Sequence, residues 1–247
     1  FALPLVLFIY LMERIPPPDS EDEAARMNRT PMTSEQRKQF VRRFLPGIIA
    51  CIFIYGFATI FRDIRDNFGA DMWKEMGYLN QPAIFSKTET PITLIILAII
   101  GSMVLIKNSF KALMIAHLFI GLGFVLAGIS TYLFTKGLVA PIWWMTLVGL
   151  GLYMVYIPFN SVFFERMIAS FRIKGNAGYL MYLADSFGYA GTMLVVLGKE
   201  LLHVQMNWSS FYAGAAMFCA VVGVAGVLFS LSYFNQKYKI FKSPYYE

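Results

Sequence analysis

Charged and strongly polar side chains set inside apolar stretches are the residues of this chain that could do chemistry, because holding them at membrane depth is costly. At the end of the first long apolar run, Tyr55, Thr59, Arg62 and Asp66 follow at spacings of four, three and four, so a helix puts them on one face. Arg62 and Arg65 on adjacent turns could clamp an anion through bidentate hydrogen bonds. The alternative is an Arg62–Asp66 pair one turn apart, with the arginines reaching outer headgroups.

A second stripe, Gly178, Tyr182, Asp185, Tyr189 and Thr192, advances by alternating fours and threes through an otherwise apolar segment. Asp185 lies about ten residues into that segment, which at ~1.5 Å rise per residue is near mid-bilayer. A carboxylate there could carry a proton, since desolvation favours its neutral form, or could make a structural hydrogen bond to a neighbouring helix. Tyr153, Tyr156 and Asn160 can share a face of a third segment, where Pro158 permits a kink and Asn160 could touch a substrate. Glu165 and Arg166 at its end suit a gate or a loop ion pair. His117 and His203 read as core and loop residues. The chain has no glycine-rich phosphate loop, two-histidine metal motif or serine elbow, so neither a cofactor nor an enzyme is expected.

Six apolar stretches must position these groups: Phe44 to Phe61, Thr90 to Ile106, Ala112 to Thr135, Gly137 to Phe164, Gly175 to Gly198 and Trp208 to Gln236. Each is close to the ~20 residues that cross a hydrocarbon core, and helices are the expected form because lipid offers the backbone no partner. Hydrophobic residues are 57% of the chain and charged residues 15%, where soluble domains carry about 25% charged. The fold class is therefore all-α, a polytopic membrane helix bundle. The basic residues lie between the apolar runs, which argues for membrane topology rather than a nucleic-acid partner. Cys51 and Cys219 fall inside spans as small packing residues. Rows of small residues (Ala184, Gly188, Thr192; Ala215, Cys219, Gly223) suit close helix contacts in lipid.

Residues 1–12 read as the end of a spanning helix that begins earlier, and residues 13–43 as a linker. The linker holds a triple proline, an acidic run from Asp19 to Glu23, and a basic end. Within it, Thr33-Ser34-Glu35-Gln36 can cap a short amphipathic helix leading into the membrane. Residues 44–242 form the six-helix domain and 243–247 a tail. With the linker placed in the cytoplasm, 15 basic residues fall inside and 6 outside, so the linker and C-terminus are expected in the cytoplasm.

This layout resembles the C-terminal half of a major facilitator superfamily transporter: the tail of one span, a charged cytoplasmic linker, then six spans. Gly101 to Lys111 occupies the place of that family's cytoplasmic signature, keeping a glycine and two lysines without the aspartate. The strings Arg62-Asp-Ile-Arg-Asp-Asn67, Tyr156-Ile-Pro-Phe-Asn160 through Glu165-Arg166, and Ala184-Asp-Ser-Phe-Gly-Tyr189 also look like an uncharacterised, divergent bacterial family of such proteins. The resemblance implies a secondary transporter of the bacterial inner membrane, surrounded by lipid and partnered by an N-terminal six-helix half, that moves a small-molecule substrate by alternating access. In the superfamily's organic-phosphate exchangers, arginines on the first helix of each half hold the anion, and Arg62 or Arg65 sits in a broadly similar place. The expected substrate site is Tyr55, Arg62, Arg65, Tyr153, Asn160, Tyr182 and Tyr189. The expected proton-coupling or gating groups are Asp185, Asp66 and Glu165. The competing function is a non-transporting sensor or assembly scaffold of the same fold.

Overall fold

The structure is a computed structural model that describes residues 2–14, 17, 33–79, 81–173, 176–202 and 207–242. The acidic run at 19–23, most of the triple proline, His203 and the tail lie outside the described residues. All regular structure among the described residues is helical: α1 (Ala2–Glu13), α2 (Ser34–Asn67), α3 (Gly69–Glu75), α4 (Ala83–Met103), α5 (Ser109–Thr135), α6 (Pro141–Pro158), a π-helical turn (Phe159–Phe163), α7 (Phe164–Ser170), α8 (Ala177–Leu202) and α9 (Trp208–Phe241). Six segments are long and apolar enough to cross a membrane: α2, α4, α5, α6 through α7, α8 and α9. The protein is a multi-pass membrane helix bundle.

Helix boundaries follow local chemistry. Thr33 accepts from the Gln36 backbone N–H at 3.3 Å while the Gln36 side chain accepts from the Thr33 N–H at 2.9 Å, a reciprocal capping box that starts α2. The backbone of α2 leaves helical geometry at Phe44, two residues before Pro46. The basic segment Ser34–Arg43 is thereby set off from the membrane part by a bend, as proline inside a helix dictates. Asn108 and Asn207 cap α5 and α9, and Pro141 opens α6, where its missing N–H costs nothing. Several helices outrun the expected spans, α2 and α4 at charged residues. Helix α2 continues to Asn67, and α4 starts at Ala83, which brings Lys87 and Glu89 into the helix. A count of uncharged residues stops at such charges, whereas the backbone continues because each acid and arginine finds a partner.

Helix α2 is central and packs on α6, α8 and α9, while α5 packs on α6 and α9, and α4 lies on α6. Glycine allows the closest crossings. A Cβ on Gly123 would stand 2.5 Å from the Gly151 carbonyl oxygen, so α5 and α6 meet backbone to backbone. A Cβ on Gly188 would stand 2.9 Å from Thr59, which brings α8 onto α2. Aromatic side chains fill the rest, with Trp144 stacked on Phe134 at 3.9 Å and its indole N–H donating to Thr131 at 3.1 Å. Burial is uneven: 61% of the most apolar stretch of α2 is buried, against 22% for α4 and 17% for α8. Helices α4 and α8 are therefore the most exposed of the six. The described side chains of α1 are exposed and add nothing to this core.

Candidate functional site

The polar groups form three tiers along α2. At mid-span, the buried Tyr55 donates its hydroxyl proton to the Asp185 carboxylate on α8. Asn160 Nδ2 donates to the Tyr55 oxygen at 2.9 Å and lies 3.4 Å from the Tyr156 carbonyl. Asn160 sits in the π-helical turn after Pro158. Such turns insert an extra residue into the helical ladder and re-aim side chains, often at functional sites. Here the turn joins α6 to α2 and α8 through one hydrogen-bond chain, Asn160 to Tyr55 to Asp185. All its donors point towards the carboxylate.

Two turns further along, the Arg62 guanidinium lies 3.9 Å from the ring centre of Tyr156 and pairs with Asp63 at 2.6 Å. The other Asp63 oxygen accepts from the Thr192 hydroxyl of α8 at 2.7 Å. Tyr156 in turn stacks on Tyr55, ring centres 5.4 Å apart. This tier and the first are therefore continuous.

The third tier is at the end of the bundle where α2 finishes and α4 and α6 begin. Arg65, only 4% exposed, donates to Glu89 at 2.5 Å and to the Met145 carbonyl at 3.2 Å, with Asp66 at 3.4 Å. Its guanidinium lies against Gly149, where a Cβ would be 2.6 Å from Nη2. Its Nε is buried with no acceptor. A cleft of about 300 Å³ opens beside it, lined by Arg65, Asp66, Trp73, Phe85, Glu89 and Tyr153 among others.

The expected residues are thus only partly united. Tyr55, Asn160 and Asp185 meet directly; Arg62 joins them through Tyr156; Arg65, Asp66 and Tyr153 belong to the outer cleft. The two arginines do not share one anion space, because each has its own carboxylate and its own surroundings. The Arg62–Asp66 alternative also fails, since Arg62 takes Asp63, and Asp66 faces Arg65. In the α8 stripe, Asp185 and Thr192 reach α2; Tyr182 is exposed, and Tyr189, about half exposed, keeps its hydroxyl beside Tyr156. Tyr189 follows Gly188, the point of contact with α2, and one residue of helix is about 100° of turn. Glu165 is exposed on α7, at the opposite end of the bundle from Glu89, and takes no place in the three tiers as described. Glu89 is the functional candidate that sequence reasoning missed. Its signal was a lone acid abutting an apolar run.

His117 is a core residue. Its Nδ1 lies 2.8 Å from the Leu113 carbonyl, which can only accept, so the proton is on Nδ1 and Nε2 accepts from Ser230 at 2.9 Å. Among the described residues no three acids, histidines or cysteines gather as a metal site.

Residues 1–237 match a protein-family profile described as a family of unknown function, DUF5690. The chain belongs to this family. No curated protein and no solved structure matches it.

Proposed function

We propose that this chain is one half of a secondary transporter of the major facilitator type, which moves a small solute by alternating access and couples the movement to protons at Asp185. The observation that carries the reading is the hydrogen-bond chain Asn160–Tyr55–Asp185, which ties three spanning helices together at mid-span. A non-transporting bundle has no need of an acid at that depth, and apolar packing would hold the same helices at lower cost.

The chain of donors also supplies a mechanism. With Asp185 ionised, Tyr55 donates to it and Asn160 donates to Tyr55. Once protonated, the Asp185 carboxyl has a proton to donate, and the Tyr55 hydroxyl no longer has to point at α8. The link between α2 and α8 is rewritten by one proton. The crossing at Gly188 lets α8 shift against α2 without a bulky side chain to clear. Helices α4 and α8 are the least buried of the six, and in this reading a second six-helix half covers them and closes the cavity. The cytoplasmic placement of the linker and C-terminus, and the bacterial inner membrane, belong to the same proposal.

The test needs no knowledge of the solute. Tyr182 is 76% exposed on α8 beside Asp185, and the native thiols Cys51 and Cys219 are buried. Tyr182→Cys in the full-length protein should react with a membrane-impermeant maleimide from either side, in right-side-out and in inverted vesicles. Asp185→Asn should bias it to one side. Reaction from one side only in the otherwise unaltered protein, or with lipid-soluble reagents alone, would overturn alternating access.

A further inference from the structure

We infer that the outer cleft is a recognition site for an organic cation with an apolar body, so that the solute class of the proposed transporter is cationic rather than anionic. The inference rests on that transporter reading only for its role in uptake; binding itself stands on the cleft.

Charge comes first. The cleft holds Arg65, Asp66 and Glu89, one positive and two negative groups, so it carries one surplus carboxylate. Exposure sharpens this. The arginine is 4% exposed, while Glu89 is 36% and Asp66 45% exposed. Arg65 Nε, a donor with no acceptor, is sealed from solvent. A ligand in the cleft therefore meets far more carboxylate than guanidinium surface. Arg65 acts as a positioning residue: it fixes the Glu89 carboxylate by a 2.5 Å hydrogen bond and is itself held by the Met145 carbonyl and by contact with Gly149.

The walls come next. Trp73, Phe85 and Tyr153 line the same space. Ring faces are the negative part of an aromatic quadrupole and attract ammonium-like cations. An anion would meet surplus negative charge in a space lined by aromatic residues. A second cleft of about 290 Å³ shares Glu89 and Tyr153 with the first and runs between α4 and α6 along Ile92, Ile96, Leu97 and Ile157. The shared acid and ring thus stand where a charged space meets an apolar groove. Spaces of this size suit small molecules, and the pairing suits a cationic head joined to a hydrophobic body.

The probe is tetraphenylphosphonium, with tetraphenylborate as its counterpart of equal shape and opposite charge. Binding to the full-length protein in phosphatidylglycerol nanodiscs is read by equilibrium binding corrected for empty discs. Saturable phosphonium binding is expected, with the borate bound at least about tenfold more weakly. Glu89→Gln and Asp66→Asn should each weaken the phosphonium by about tenfold. Asp66→Asn leaves the buried Arg65–Glu89 pair in place, so a folding defect in Glu89→Gln does not hide the answer. Gly214→Ala, outside the cleft lining and with nothing within 4 Å of its added Cβ, should leave binding unchanged. Nanodiscs containing phosphatidylethanolamine should bind the phosphonium equally well; competition by that lipid would mean a headgroup site and overturn a solute site. Equal affinity for phosphonium and borate, or no effect of either acid substitution, would overturn the inference. Transport could still be found in that case, and binding without side-to-side access at Tyr182 would overturn the transporter reading alone.

Discussion

Glu75 closes α3 and caps α9 from the other end of the sequence. Its two carboxylate oxygens accept from the Trp208 and Ser209 backbone N–H groups, each at 2.8 Å, which are two of the four donors that a helix N-terminus leaves without partners. Beside them Phe68 stacks on Trp208 at 3.8 Å, and Lys199 lies 4.7 Å from the centre of the Phe68 ring. Losing a side-chain cap costs about 1 kcal/mol, and losing a negative charge at a helix N-terminus about 0.5 kcal/mol more. Glu75→Ala should therefore cost about 1.5 kcal/mol, and Glu75→Gln, which keeps one acceptor oxygen, about half of that. For a chain of this size that loss lowers the melting temperature by about 3–6 °C in the alanine variant. Desolvation raises the Glu75 pKa slightly, but the Ser209 and Trp208 N–H groups outweigh it and hold the pKa below the ordinary 4.5. A group with a lowered folded pKa stabilises fully above its unfolded value and loses that contribution as pH falls through the folded one. Tryptophan-fluorescence melts of the detergent-solubilised protein, from pH 7 down to pH 3.5, would show both effects. Wild type should lose its margin over Glu75→Ala below about pH 4.5. An alanine variant that melts with wild type at pH 7, or that falls in parallel with it on acidification, would refute the latch.

Asp185→Asn should keep the fold, because amide and acid have one shape, and should abolish proton-coupled uptake while sparing exchange. Uptake with wild-type pH dependence would end the proton-carrier idea. Asp185→Ala should cost about 1–3 kcal/mol in thermal melts, because it strands the buried Tyr55 hydroxyl. Gly123→Ala should cost about 1–3 kcal/mol or prevent assembly, since its Cβ meets a backbone oxygen on α6; Gly214→Ala, which meets nothing within 4 Å, should be neutral or stabilising in the same melts. A cysteine introduced near Glu23 should resist impermeant labelling in intact cells; rapid labelling from outside would reverse the orientation.

Composition and apolar run length by themselves determined that this is a helical membrane bundle with six crossings, because lipid leaves the backbone no alternative. Spacing also determined the capped start of α2 at Thr33 and the small-residue rows of α8 and α9, which depend only on neighbours along one helix. Pairing across helices was another matter. Periodicity placed Arg62 with Asp66 and aligned Tyr182 with Asp185, yet the structure pairs Arg62 with Asp63 and leaves Tyr182 on the exposed face of α8. Helical spacing tells which residues share a face but not where the partner helix crosses it, and the Gly188 crossing settles that for α8. The π turn that aims Asn160 at Tyr55, the Glu89 partner of Arg65, and the cap that Glu75 places on α9 across 133 residues belong to tertiary structure alone. Each is a contact whose two halves carry no mark of one another until packing brings their helices together.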